Sequence, residues 1–153
     1  MRRVLAAAAC LAAVAAGAWL LSPRGPELVV EEAKSGRVLL SERARPGERF
    51  TLSYLHSVSK TRVRGVFEVA PDGFLVVRET SFGTPGPGLP EPTKEDRVEI
   101  AGGVIRVFDL DQRLPELSFF VHPYTEHAVE IGGRTLGLSA GLPPGTLVKI
   151  RIR

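Results

Sequence analysis

Residues 50–90, FTLSYLHSVSKTRVRGVFEVAPDGFLVVRETSFGTPGPGLP, decide the fold class. Phe50, Leu52, Tyr54 and His56 fall on one side of an extended chain and Thr51, Ser53, Leu55 and Ser57 on the other. That period of two is what a half-buried strand requires. Val63–Val69 repeats the alternation, Pro71-Asp72-Gly73 signals a turn, and Phe74–Ser81 supplies a third strand. The stretch closes in Phe82–Pro90, where three glycines and three prolines alternate. Glycine permits close backbone approach and proline stiffens the path while removing donors, so this is a pre-shaped surface loop. It closes one end of the fold or meets a partner.

The same alternation extends outward in both directions. Upstream, Leu28–Ala33 and Arg37–Glu42 flank Lys34-Ser35-Gly36 as a hairpin. Downstream, short runs at Arg97–Ile100, Val104–Leu110, Glu116–His122, His127–Ile131, Thr135–Leu138 and Thr146–Ile152 are separated by glycine or proline turns. No helix-period apolar pattern interrupts them after Glu27. The expectation is an all-β domain, a β-sandwich or partly closed barrel of about ten short antiparallel strands. In the last strand Val148, Ile150 and Ile152 face the core while Lys149 and Arg151 face water. Phe119-Phe120 places one aromatic on each face of its strand.

The N-terminus is of another kind. Met-Arg-Arg precedes eighteen uncharged residues, Val4–Leu21, followed by a polar exit containing proline. This describes a secretory signal or a single membrane-spanning helix with Arg2 and Arg3 inside. Ala16-Gly17-Ala18 offers a cleavage site, but Trp19 suits an uncleaved anchor at the outer interface. The expected organisation is an anchor or signal at 1–22, a linker at 23–26 and an exported β domain at 27–153. That domain lies outside the cytoplasmic membrane, tethered to it, or is secreted if the segment is cut.

The formal charge of +3 reflects Arg2, Arg3 and Arg24, since the remaining 17 basic residues balance 17 acidic ones. A domain so balanced gives no argument for nucleic acid, which needs a clustered basic face. Lys60, Arg62 and Arg64 read as a solvated strand face. The only cysteine, Cys10, lies in the apolar segment, so the domain has no disulfide and no thiolate nucleophile. The absence of asparagine and the abundance of proline fit a thermophile.

His56 and Ser57 are neighbours, but on a strand they point to opposite faces and cannot act as base and nucleophile. No G-x-S-x-G elbow is present. No enzyme activity and no cofactor are expected. Tyr54-x-His56 and His122-x-Tyr124 place a tyrosine two residues from a histidine. If the two strands approach, Tyr54, His56, His122 and Tyr124 line one polar-aromatic pocket, with Glu68, Glu79 or Glu126 beside it. Such a pocket suits a small polar ligand or a divalent metal held by neutral imidazoles. The alternative is that each histidine is a hydrogen-bonded core or edge residue. His122 and His127 are five apart, which is no recognised metal spacing.

LSYLHSVSKTRVRGVFEV, ETSFGTPGPGLP and VHPYTEHAVEIGGRTLGL together resemble the bacterial domain of unknown function 1850 family. Its Tyr-x-His-Ser-Val strand corresponds to Tyr54, His56, Ser57 and Val58. Its Phe-x-x-x-Gly-x-Gly-Leu-Pro loop corresponds to Phe82, Gly86, Gly88, Leu89 and Pro90; Pro87 stands where a small residue is more usual. The resemblance implies a small exported or anchored protein, often encoded beside tripartite periplasmic transporters of the TAXI type. By that association the expected partner is a TAXI-type membrane permease, its extracytoplasmic binding protein, or both. The family carries no established catalytic residues.

Overall fold

The computed structural model describes residues 25–86, 89 and 92–153. Among the described residues the chain forms eleven strands. They are β1 (Glu27–Glu32), β2 (Val38–Arg43), β3 (Arg49–Leu55), β4 (Arg62–Val69), β5 (Leu75–Phe82) and β6 (Arg97–Ala101). After these come β7 (Val104–Leu114), β8 (Leu117–Val121), β9 (Ala128–Ile131), β10 (Arg134–Gly137) and β11 (Thr146–Ile152). A 3-10 turn occupies Pro123–Thr125. The strands make two antiparallel sheets, ordered β2-β1-β11-β8 and β10-β9-β3-β4-β5-β7-β6.

The two sheets face each other as a sandwich, and no closed barrel forms, which corrects the barrel half of the expectation. One core joins both layers: Leu28, Val30, Val148 and Ile150 from the small sheet meet Phe50, Phe67, Leu75 and Ile131 from the large one. Each such side chain fully removed from water contributes about 1.5–3 kcal/mol. Between β9 and β10, Gly132 and Gly133 sit at φ 56° and 75°. A two-residue hairpin turn that matches strand twist needs positive φ at both positions, which glycine adopts without penalty.

Two strands end elsewhere than alternation alone suggests. β3 stops at Leu55, leaving His56 in the following turn. β7 continues to Leu114, and its register with β5 shifts between Val77 and Glu79. There Asp109 takes φ 57° and pairs with Arg97 at 2.9 Å. The bulge lets β7 bend and still reach Pro115, where the chain crosses to β8 in the other sheet.

The sandwich has two distinct ends and two distinct sides. At one end, Glu27 N–H donates to the Arg153 carbonyl at 3.0 Å, and a Cβ on Gly73 would stand 3.9 Å from Ile152. The chain therefore leads into β1 beside the β4–β5 turn. The opposite end carries the β3–β4 turn, the start of the loop after β5 and the 3-10 turn. Along one side, Arg134 Nη1 donates to Glu42 Oε2 at 2.6 Å and ties β10 to β2 across the layers. On the other side the small sheet stops at β8, while the large one runs on to β6. Ile100 and Val98, register partners of Ile105 and Val107, are consequently exposed on the inner face, Ile100 at 73%.

The expected anchor at 1–22, with Cys10, and the linker through Arg24 lie outside the described residues, as do Gly88 and Pro90. Among the described residues no helix is long and apolar enough to cross a membrane.

Candidate functional site

The β3–β4 turn is built on His56. Its Nδ1 accepts the backbone N–H groups of Ser59 at 3.2 Å and Val58 at 3.4 Å, and its carbonyl accepts Lys60 N–H at 2.9 Å. An imidazole nitrogen that accepts is unprotonated, so the neutral ring carries its proton on Nε2. The ring is buried, and a Cβ on Gly86 would lie 3.6 Å from its Cε1. The glycine of the loop thus rests against the histidine of the turn. Gly83 approaches the same turn, since a Cβ there would stand 3.0 Å from Thr61 Cγ2. Closing the turn costs strain: Lys60 has φ 55°, in the left-handed region that a side chain disfavours. Ser57 is exposed on the turn.

Behind this turn three rings from three parts of the chain stack. His127, just before β9, lies between Tyr54 of β3 and Phe119 of β8. Centroid separations are 5.0 and 4.9 Å, with both interplanar angles 15°. The stack bridges the two sheets. His127 Nδ1 lies 2.7 Å from Thr125 Oγ1, which donates to the His122 carbonyl at 2.7 Å when it is not donating to the ring. Its backbone N–H donates to Ser139 Oγ at 2.8 Å. Burial lowers the His127 pKa to about 4, so the ring is neutral at ordinary pH. Burial also pushes the Tyr54 phenol upward.

The 3-10 turn brings the second Tyr–His pair to this end. His122 and Tyr124 have ring centroids 4.0 Å apart, and Lys60 Nζ stands 5.3 Å from the Tyr124 centroid, a cation over a ring face. Arg62 Nη2 pairs with Glu126 Oε2 at 2.5 Å. Glu126, at φ 48°, is a second left-handed non-glycine residue in contact with the first turn. His122 Nδ1 is buried with no hydrogen-bond partner among the described residues.

Next to the three-ring stack a cleft of about 630 Å³ opens between the layers. Leu52, Gly65, Phe67 and Val77 form its apolar floor, Tyr54 and Phe119 one wall, and Leu89 of the loop another. Thr80 and Gln112 add polar groups to this inner face. Apolar walls with a few orienting polar groups, at this volume, are what small binding clefts share.

The model of the family described as Domain of unknown function (DUF1850) matches residues 50–138, more than half of the chain. The chain belongs to the DUF1850 family. No curated protein and no solved structure matches it. The matched span carries nearly all of the large sheet, β8, the cleft and the three-ring stack, and leaves out β1, β2 and β11.

In this DUF1850 domain the residues singled out from sequence divide into three groups. Tyr54, His56, Gly86, His122 and Tyr124 do gather at one end, with Leu89 reaching the cleft. Phe82 is different: it is fully buried with Val63, Leu89 and Val107 and anchors the loop from beneath, so it offers no surface to a partner. Glu68 and Glu79 lie on the outer face of the large sheet, away from the cleft. There Glu68 pairs with Arg78 at 3.0 Å and Arg49 at 3.2 Å, and Glu79 with Arg106 at 2.6 Å. Those hydrogen bonds hold both carboxyls below the usual range. A depression of about 350 Å³ on that face is lined by these paired charges. The sequence points to His127 as a core or edge histidine and to Phe119 as one of two aromatics on opposite faces, but not to their meeting in one stack, and it does not single out Thr125 at all. The signal was present in Thr-Glu-His after Pro-Tyr, where a threonine two residues before a histidine can hold its ring, but the stack itself needs both sheets.

Proposed function

We propose that this protein is a non-enzymatic accessory protein held outside the cytoplasmic membrane, which assists a TAXI-type tripartite transporter by binding its permease or its extracytoplasmic binding protein. The observation that carries the binding role is the open cleft beside Tyr54, His127 and Phe119, with Leu89 on one wall and Gly86 packed against the His56 turn that follows β3. The family resemblance supports the transporter as the system served, and the apolar N-terminal segment supports export and tethering. The chemistry present supports recognition over catalysis: His56 Nδ1 is spent on its own turn and His127 Nδ1 on Thr125, so neither presents that nitrogen as a base to a nucleophile.

A second reading, a small-ligand module, is favoured by one observation. The Tyr54 hydroxyl and the Thr80 and Gln112 side chains make no hydrogen bond among the described residues, although all three line the cleft. A ligand with a planar apolar body and a polar substituent would satisfy them. The divalent-metal form of this reading has less behind it: among the described residues no group of three or more His, Cys, Asp or Glu is placed to hold an ion.

The deciding experiment is purification of the full-length protein from its native membranes in mild detergent, as wild type and as Gly86→Val and His56→Ala. Co-purification of the permease or binding protein with wild type, lost in both variants at unchanged far-UV circular dichroism, is the expected result. Wild-type protein recovered alone, with a melting temperature raised by small aromatic acids or amides, transfers the function to the small-ligand reading.

A further inference from the structure

The wall of the cleft formed by β8 has an unusual composition. Leu117, Ser118 and Phe119 are consecutive, and all three line the cleft. Neighbouring residues of a strand send their side chains to opposite faces, as here, where Phe119 turns inward to His127 and Phe120 outward. Three in a row can border one cleft only if the main-chain edge of β8 itself is the wall. β8 is the last strand of its sheet, so on that edge alternate N–H and C=O groups have no strand partner among the described residues.

The layer opposite is built for one more strand. The small sheet ends at β8, yet the inner face of the large sheet continues across Gly65, Thr80 and Val107 to the exposed Val98. Phe120, 67% exposed on the outer face of the edge strand, has a cross-strand neighbour on β11 only, among the described residues. An added strand would supply the other one. Open edges of this kind are normally blunted by charge, proline or a covering loop. β8, with the sequence LSFFV, has none of the first two.

We infer that the cleft takes an extended peptide segment of the partner protein, added as a fifth strand to the small sheet along β8. Its alternate apolar side chains enter the cleft over Gly65 and Thr80, and its intervening residues lie beside Phe120. This rests on the binding role proposed above and specifies its chemistry: main-chain hydrogen bonds supply affinity and every second side chain supplies specificity.

The test uses full-length protein in detergent and a displayed library of linear peptides long enough to span the five residues of β8. Enriched peptides are expected to show apolar residues at every second position and to slow amide exchange at β8. N-methylation of such a peptide at alternate positions should weaken binding roughly tenfold per bond removed, with the positions between tolerant. Ser118→Pro should abolish binding; because proline could disturb the strand, the N-methyl series on wild-type protein carries the result independently. Any of four results in the peptide experiment overturns the inference: no enrichment, binding indifferent to N-methylation, protection confined to β6 or the His56 turn, or, as the fourth, peptide-free protection of β8 that grows with protein concentration. The last assigns the edge to a second copy of the chain. Native co-purification that survives Ser118→Pro but fails in Gly86→Val would leave the accessory role standing and remove only the strand addition.

Discussion

The imidazole of His127, just before β9, lies flat against the phenol ring of Tyr54 in β3, 5.0 Å between centroids and tilted by 15°. The stack depends on a neutral ring. In the unfolded chain a histidine takes up a proton below about pH 6.5, whereas in the fold His127 does so only near pH 4. Between those values the unfolded state binds more protons, so stability falls as pH falls. The full displacement corresponds to on the order of 3 kcal/mol. Urea denaturation at pH 7 and pH 5 should show wild type losing about 2 kcal/mol more than His127→Phe, which keeps a ring in the stack without the titration. Equal losses in the two proteins would remove His127 as the cause.

Gly65 should be intolerant of any side chain. A Cβ there would stand 2.7 Å from Phe67 Cε2, and that ring is held against Phe50 at 5.1 Å. Gly65→Ala must push Phe67 off its partner, at about 1–3 kcal/mol. It also fills the cleft floor, so loss of partner or peptide binding should exceed what the melting temperature accounts for. Unchanged stability would mean that the Phe67 ring has somewhere else to go.

Lys60 offers the opposite trade. Left-handed backbone costs a non-glycine residue about 1–2 kcal/mol, and glycine is less favourable elsewhere by about 0.5–1. Lys60→Gly should therefore hold or raise the melting temperature while removing the cation over Tyr124. If recognition passes through this turn, the same variant binds its partner more weakly, a stability gain with a functional loss. A lower melting temperature would place the worth of Lys60 in its contact with Tyr124.

The strands were legible in the sequence because each inner face reports itself locally. Phe50, Leu52 and Tyr54, or Val148 and Ile150, need no partner to declare their side. The same parity separates Glu68 from the cleft: it alternates with Phe67 and Val69, which point inward, so its own strand sends it outward. What local periodicity lacks is width. Nothing in any single strand states that one sheet has four members and the other seven, yet that inequality makes the cleft. Nor does it join Tyr54 to Phe119 through His127, a contact among residues from both layers. His56 escaped by one residue: alternation continues through it, but the turn needs its Nδ1 as an acceptor, and β3 yields there.

The chain comes into β1 beside the β4–β5 turn, whereas His56, Tyr124, Gly83 and Gly86 occupy the far end. β4 connects the two ends with eight residues, roughly 25 Å of extended chain. A tether joined at Gly25 would accordingly hold the recognition end away from the lipid by about that length. The molecule would work as a short post with its grip at the top, and lengthening the linker at 23–26 should change its reach before it changes its affinity.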